Sequence, residues 1–169
     1  MADTRFSFFL TPRGAALEKL SKLIERLAIQ LSSPIFEPHV TLLSSMPLPL
    51  TETISKTKEL ASALRPFTIR LNKVVHEDIW NKAIFINAEQ SKKLMEANAK
   101  AREAFGLEDY EYLPHLSILY GEFPVETKER LIKDIGPELD IKFEAKSIRI
   151  WDTVQSPWKW KFVKEIPLG

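Results

Sequence analysis

The sequence predicts an α+β fold in two similar lobes, with duplicated antiparallel sheets, outer helices and a central active-site groove. The first observation behind this is that segments with strand-like alternation or aromatic content are interleaved with amphipathic helical segments. The second is an internal repeat, because residues 38–43 (PHVTLL) match residues 114–119 (PHLSIL) at an offset of 76. The third is that each copy is followed by a helix and then by two strands. We therefore expect residues 1–169 to form one bilobal domain in which a pseudo-two-fold axis sets the two matching strands face to face.

The first half of the chain opens with an aromatic-rich strand that ends at a Pro-Arg-Gly sequence. Leucines then recur every three or four residues while charged residues occupy the opposite face, which predicts an amphipathic helix that packs on a sheet. Thr51 is expected to cap the next helix. The predicted elements are, in order, strand 5–10, helix 15–31, strand 38–43, helix 51–64, strand 67–75 and strand 83–87.

The second half begins with a helix that Gly106 is expected to stop. Its counterpart in the repeat is the N-terminal helix, so both chain termini are expected in the same lobe. The loops that join the paired strands also correspond, with Trp80-Asn81-Lys82 in one and Trp158-Lys159-Trp160 in the other. The predicted elements are helix 91–105, strand 114–120, helix 126–135, strand 142–151 and strand 160–166.

Composition and charge limit the possible partners. With 24 Lys and Arg against 23 Asp and Glu, the net charge is +1, so no global field favours duplex nucleic acid or an anionic membrane. The absence of cysteine excludes disulfides, a thiolate nucleophile and Cys-based metal sites. The first nine residues are too short and polar for a signal peptide, and no apolar run approaches the ~20 residues that span a bilayer. We expect a cytoplasmic monomer without a cofactor.

The chemistry is predicted to lie in the two repeated strands. Because residues i and i+2 of a strand point to the same side, His39 shares a face with Thr41, and His115 shares a face with Ser117. Each lobe would therefore present one imidazole beside one hydroxyl. An isolated His-x-Thr is usually structural, but the duplicated motif, with a proline before it and apolar residues around it, favours function.

This set of side chains suits metal-free hydrolysis of a phosphodiester. An imidazole titrates near neutrality, so one histidine can take a proton from water while the other gives a proton to the leaving oxygen. The hydroxyls can hold the non-bridging phosphate oxygens and support charge in the transition state. Two imidazoles fall short of the three or four converging ligands that a zinc site needs, so no metal site is expected.

The remaining histidine and the tryptophans have weaker signals. His76 lacks a hydroxyl two residues later and is interpreted as a non-catalytic hairpin residue. Trp80 is a candidate substrate contact, whereas aromatic residues in hairpins usually pack against neighbouring strands, which is the interpretation for the other three. Those three are Trp151, Trp158 and Trp160, and Phe8 and Phe85 are likewise expected in the core.

Two copies of His-x-Ser/Thr on apolar strands resemble the 2H phosphoesterase superfamily, and the whole chain is most similar to the cyclic phosphodiesterases of plants and yeast. The Pro-His-Leu-Ser-Ile-Leu-Tyr-Gly stretch at 114–121 is the most specific part. The resemblance implies that Tyr120 lines the substrate site. It also implies hydrolysis of ADP-ribose 1″,2″-cyclic phosphate, a by-product of tRNA splicing, or of nucleoside 2′,3′-cyclic phosphates to 2′-phosphates. The cysteines of the plant enzymes are missing here, so redox control does not carry over.

Two alternatives remain open at this point. One is another 2H enzyme that acts on RNA ends or on 2′,5′-linked oligonucleotides, which would need a basic groove for a polymer. The other is a nucleotide-binding module in which the histidines persist without turnover.

Overall fold

A computed structural model describes residues 4–169, and the first three residues of the predicted domain lie outside the described part. The strands alternate with four helices along the chain. The strands are β1 (Phe6–Leu10), β2 (Val40–Met46), β3 (Phe67–His76), β4 (Ile84–Ala88), β5 (His115–Leu119), β6 (Glu138–Ala145), β7 (Ser147–Asp152) and β8 (Lys161–Pro167). The helices are α1 (Gly14–Leu31), α2 (Leu50–Ser62), α3 (Lys92–Ala104) and α4 (Val125–Ile135).

The strands form one antiparallel sheet in the order β6-β3-β4-β5-β2-β1-β7-β8. Its two four-stranded halves meet at the centre, where β2 and β5 pair through the single residue pair Val40 and Leu116. No other residue pair joins these two strands in the ladder. The predicted pair of sheets is therefore a single sheet whose weakest junction lies at the pseudo-two-fold axis.

The predicted duplication is visible in the order of elements. The unit β1-α1-β2 corresponds to β4-α3-β5, since in each unit a helix joins two neighbouring antiparallel strands. Helix α1 packs against β5 and helix α3 against β2, so each helix supports the central strand of the opposite half. Strands β1 and β8 lie in the same half, as expected for the chain termini.

Helices α1 and α3 pack on the central strands through buried apolar side chains. In α1, buried Leu20, Ile24 and Leu27 follow helical spacing. Helix α3 begins at the N-cap Ser91, whose hydroxyl accepts a hydrogen bond from the Leu94 amide, and it ends before Gly106 at φ +67°. Because side chains alternate along a strand, the other face of β2 and β5 is left to line a groove.

Two predicted boundaries are wrong. The segment 142–151 is not one strand, because β6 ends at Ala145 at one edge of the sheet and β7 starts at Ser147 in the other half. The burial pattern explains the break: alternate residues are buried through Ala145, and then the adjacent Ser147 and Ile148 are both buried, so the chain changes face. Thr51 is not an N-cap either, since α2 begins one residue earlier and follows Pro49. No helix within 4–169 combines the length and apolar composition needed to cross a bilayer.

Candidate active site

The two repeated motifs meet at the junction of the sheet halves. His39 lies immediately before β2 with 5% of its surface exposed, and His115 is the first residue of β5. In the antiparallel register set by the central pair, His39 falls opposite Ser117, and Thr41 falls opposite His115. All four side chains line one cavity of about 270 Å³. Each imidazole therefore has a hydroxyl beside it on its own strand and a second one across the junction.

Both imidazoles are oriented in the same way by the backbone. Nδ1 of His39 lies 2.6 Å from the carbonyl oxygen of Glu37, and Nδ1 of His115 lies 2.8 Å from that of Leu113. A carbonyl oxygen only accepts, so each Nδ1 carries the proton and donates it. The Nε2 atom of each ring is then the one available to exchange a proton in the cavity.

Burial makes both histidines weaker bases than a histidine in water. Burial lowers the pKa of His39 from 6.5 to about 4, the charge of His115 adds to this, and the hydrogen bond to Glu37 opposes it. Burial also lowers the pKa of His115, with a hydrogen bond to Leu113 opposing the shift. The unliganded site therefore favours two neutral imidazoles, and an anion bound between them would favour the protonated form of either.

Aromatic rings enclose His39. The ring of Phe9 stacks on the imidazole with centroids 3.6 Å apart and planes at 14°. Phe36 and Trp160 approach it edge-on, each with centroids 6.1 Å away. On the other side of the axis, Phe85, equivalent to Phe9, meets His115 edge-on at 5.2 Å. His39 is thus held more rigidly and in a drier environment than His115.

The two hydroxyls differ in their present partners. The Ser117 hydroxyl donates to the carbonyl oxygen of Asn81 at 2.8 Å, in the loop between β3 and β4. The Thr41 side chain lines the cavity, and the Tyr112 hydroxyl donates to the Thr41 carbonyl at 2.7 Å, which fixes this part of β2. For Ser117 to donate to a phosphate, its hydroxyl must rotate away from Asn81.

The predicted aromatic contacts are placed differently from one another. Tyr120 lines the cavity, as predicted, and stacks on Phe36 at 4.1 Å; burial raises the pKa of its phenol. Trp80 does not line this cavity: it is 39% exposed at the β3–β4 turn, with its ring 5.5 Å from that of Tyr120. Its contact with a substrate stays a prediction. Phe8 and Phe85 are buried, as expected.

Sequence reasoning missed several lining residues. Trp160, which was expected only to pack, contacts Phe9 and also lines the cavity, and its Nε1 donates to the Gln155 carbonyl at 3.0 Å. The correspondence between the two tryptophan loops was the available signal for it. Asn81 and Lys82 belong to the other of these two loops, but they were not predicted as site residues. The remaining lining residues have no signal in the repeat: Ser7, Phe9, Ser44, Ser45 and Thr153.

A charged network lies behind His39. The carboxylate of Glu37, whose backbone holds the imidazole, pairs with Arg149 on β7 at 3.1 Å between Oε2 and Nε. Arg149 also pairs with Glu165 at 3.2 Å and lies over the Phe162 ring at 4.3 Å. Burial raises the pKa of Glu37, and the Arg149 charge opposes this. The network anchors the segment that orients His39.

The third histidine lies outside the central cavity. His76 ends β3 and lines an adjoining cavity. Among residues 4–169 no three His, Asp or Glu side chains converge as metal ligands would. The two histidines that meet at the centre are therefore His39 and His115.

The chain is similar to several known proteins. A cyclic phosphodiesterase of Arabidopsis thaliana is 25% identical over 146 residues, which make up 86% of this chain and 80% of that protein. Among solved structures, TT0787 of Thermus thermophilus aligns with a TM-score of 0.67 at 15% identity and 97% coverage of both chains. E. coli LigT complexed with 3'-AMP aligns with a TM-score of 0.66 at 13% identity and 98% coverage of both chains. These structures share the fold, which confirms the predicted α+β class.

The family model of the 2'-5' RNA ligase superfamily matches residues 8–157, a range that contains both histidine motifs. This agrees with the resemblance to 2H phosphoesterases that the motifs indicate. The chain belongs to the 2'-5' RNA ligase superfamily.

Proposed function

We propose that this chain is a metal-independent cyclic phosphodiesterase that opens a cyclic phosphate between His39 and His115. The observation that carries the proposal is the pair of imidazoles in one cavity, each fixed by a backbone carbonyl and each accompanied by hydroxyls. The Arabidopsis relative named cyclic phosphodiesterase supports the reaction class. Structures of E. coli LigT with 3'-AMP, ATP and NADP+ support a small nucleotide as the ligand.

The reaction needs one proton taken and one proton given. One imidazole accepts a proton through Nε2 from a water molecule, whose oxygen attacks phosphorus. The bond from phosphorus to one ring oxygen then breaks, and the second histidine, as imidazolium, gives that oxygen a proton. The bound phosphate anion supplies the field that raises the pKa of this second histidine above its unliganded value. Water adds across the ring, and a phosphomonoester with a free hydroxyl leaves.

The hydroxyls hold the phosphate in line. Thr41 and Ser117 each lie opposite the histidine of the other strand, so they can donate to the non-bridging oxygens. The two Nε2 atoms are then free to contact the attacking water and the leaving oxygen on opposite sides of the phosphate. Tyr120 closes the cavity wall beside Ser117. We assign ADP-ribose 1″,2″-cyclic phosphate and nucleoside 2′,3′-cyclic phosphates as the substrates and 2′-phosphates as the products of the latter. The first of these links the enzyme to tRNA splicing.

A substrate panel tests the proposal. Purified protein is given ADP-ribose 1″,2″-cyclic phosphate, the 2′,3′-cyclic nucleotides and a 2′,5′-linked dimer, each with and without EDTA. We expect ring opening of a cyclic phosphate at the same rate in both conditions. Loss of turnover with EDTA would overturn metal independence. Faster cleavage of the dimer than of any cyclic phosphate would favour the RNA-end alternative, and binding without product would favour a nucleotide-binding module.

A further inference from the structure

The central cavity is too small for a whole nucleotide. Its volume of about 270 Å³ lies below the ~300–1,000 Å³ of pockets that enclose small ligands. A larger cavity of about 590 Å³ adjoins it and shares two of its walls, His115 and Lys82. A substrate with its phosphate between the histidines therefore has room to extend only past His115 or out to solvent.

The pseudo-two-fold symmetry is broken at this point. On β4, Asn87 pairs with His115 in register; the equivalent residue, directly after β1, is Thr11, which is buried. Beside His39 the equivalent space is filled by Phe36 and Trp160, as their ring contacts show. Two nearly identical motifs thus face unlike surroundings, and the open side is that of His115.

The lining of the larger cavity is polar but balanced in charge. Its two lysines face two glutamates, and Lys82 pairs with Glu77 at 2.9 Å. The amides of Asn72, Asn87 and Gln90 supply the neutral donors and acceptors. Within the described chain, the half-buried side-chain amide of Asn87 has no hydrogen-bonding partner. Such a wall suits an uncharged group with fixed donors and acceptors, and it does not suit a polyanionic diphosphate chain.

We propose that this larger cavity binds the nucleobase of a nucleoside cyclic phosphate, and that Asn87 is a specificity-determining residue that hydrogen-bonds the base edge. This rests on the proposed function for the position of the phosphate. Of the two proposed substrates, it favours nucleoside 2′,3′-cyclic phosphates over ADP-ribose 1″,2″-cyclic phosphate, which carries a diphosphate. The base lies beyond His115, and the ribose spans the shared wall.

The test compares substrates that differ only in the base. Wild type, Asn87→Ala and Asn87→Asp are assayed with the four 2′,3′-cyclic nucleotides and with the base-free 1-O-methylribose 2,3-cyclic phosphate. We expect Asn87→Ala to raise KM about five- to tenfold for at least one cyclic nucleotide, as for one lost hydrogen bond, and to leave KM for the base-free compound unchanged. Asn87→Asp keeps the shape but replaces the donor, so the ranking of the four bases should change. Gln30→Ala, which removes an exposed amide on α1, is the matched control.

The outcomes separate the two proposals. If wild type opens the base-free compound as efficiently as the nucleotides, or if Asn87→Ala slows both alike, the base subsite is wrong while the cyclic phosphodiesterase stands. If no cyclic phosphate is opened, the proposed function fails. In that case calorimetry with nucleoside 2′-phosphates against methylribose 2-phosphate still decides the subsite, because equal affinities for the two would overturn it.

Discussion

The burial of His39 predicts a measurable loss of stability in acid. In the unfolded chain this histidine takes up a proton with a pKa near 6.5, but in the folded chain burial lowers the pKa to about 4. Between these values the unfolded state binds more protons, so the free energy of unfolding falls as pH drops through this window. At about 1.4 kcal/mol for each pH unit, the loss between pH 7 and pH 4 is about 3 kcal/mol. This is a large part of the ~5–15 kcal/mol that stabilises a typical domain.

Replacement of His39 by glutamine isolates this contribution. Glutamine fills a similar volume and does not titrate, so the variant should lack the His39 part of the acid loss while all other groups titrate as before. Urea unfolding at pH 7, 6, 5 and 4 measures the difference. We expect the unfolding free energy of wild type minus that of the variant to fall by about 3 kcal/mol from pH 7 to pH 4. A gap that stays constant over this range would refute the buried, neutral state of His39.

Three further predictions concern the pH dependence of turnover and two charged side chains. Burial lowers the pKa of both His39 and His115, so if they are the acid and the base, kcat/KM should peak below pH 6.5 and fall about tenfold for each pH unit above the peak. The optimum of kcat, measured with the phosphate bound, should lie at higher pH, and an optimum of kcat/KM at pH 8 would contradict this. Arg149→Met leaves the Glu37 carboxylate without its cation, so it should lower stability by about 1–3 kcal/mol at pH 8. The loss should be smaller at pH 5, because the raised pKa of Glu37 lets it take up a proton there; equal losses at both pH values in thermal or urea unfolding would count against the network. Lys128→Met removes the buried ammonium of α4 that donates to the Glu77 carbonyl at 3.0 Å. We expect the free energy of unfolding in urea to fall by about 1–3 kcal/mol, and an unchanged unfolding midpoint would show that this contact is dispensable.

The meeting of the two histidine motifs could be predicted from the sequence because its signal is local. The side-chain period of a strand places His39 with Thr41 and His115 with Ser117, and the repeat joins the two sets. The structure brings these four residues together in one cavity. The register between β2 and β5 sets each imidazole opposite the hydroxyl of the other strand. It depends on the pairing of Val40 with Leu116, which are far apart in sequence, so no local sequence pattern predicts it.

The parts that sequence reasoning missed depend on contacts between distant elements. Trp160, in the connection between β7 and β8, reaches the cavity through ring contacts with Phe9 and His39. Trp80, the stronger candidate by sequence, lies outside the cavity wall. Polar and apolar residues alternate along most of 142–151, which is typical of one strand, and the break appears only in the burial pattern, where Ser147 and Ile148 are both buried. Lys128 was not singled out, since a lysine on an amphipathic helix is normally solvated, and only the β3–β4 loop packed on it makes it buried.

The measurement that tests the central claim most directly is turnover of a cyclic phosphate by His39→Ala, His115→Ala and the double variant. If the two histidines are the acid and the base, each single variant should lose about 10²–10⁴ in kcat, and the double variant should lose little more than the worse single one, because the pair acts as a unit. Gln30→Ala, on the outer helix, is the control for handling and folding and should retain wild-type turnover. Near wild-type kcat in both single variants would contradict the account.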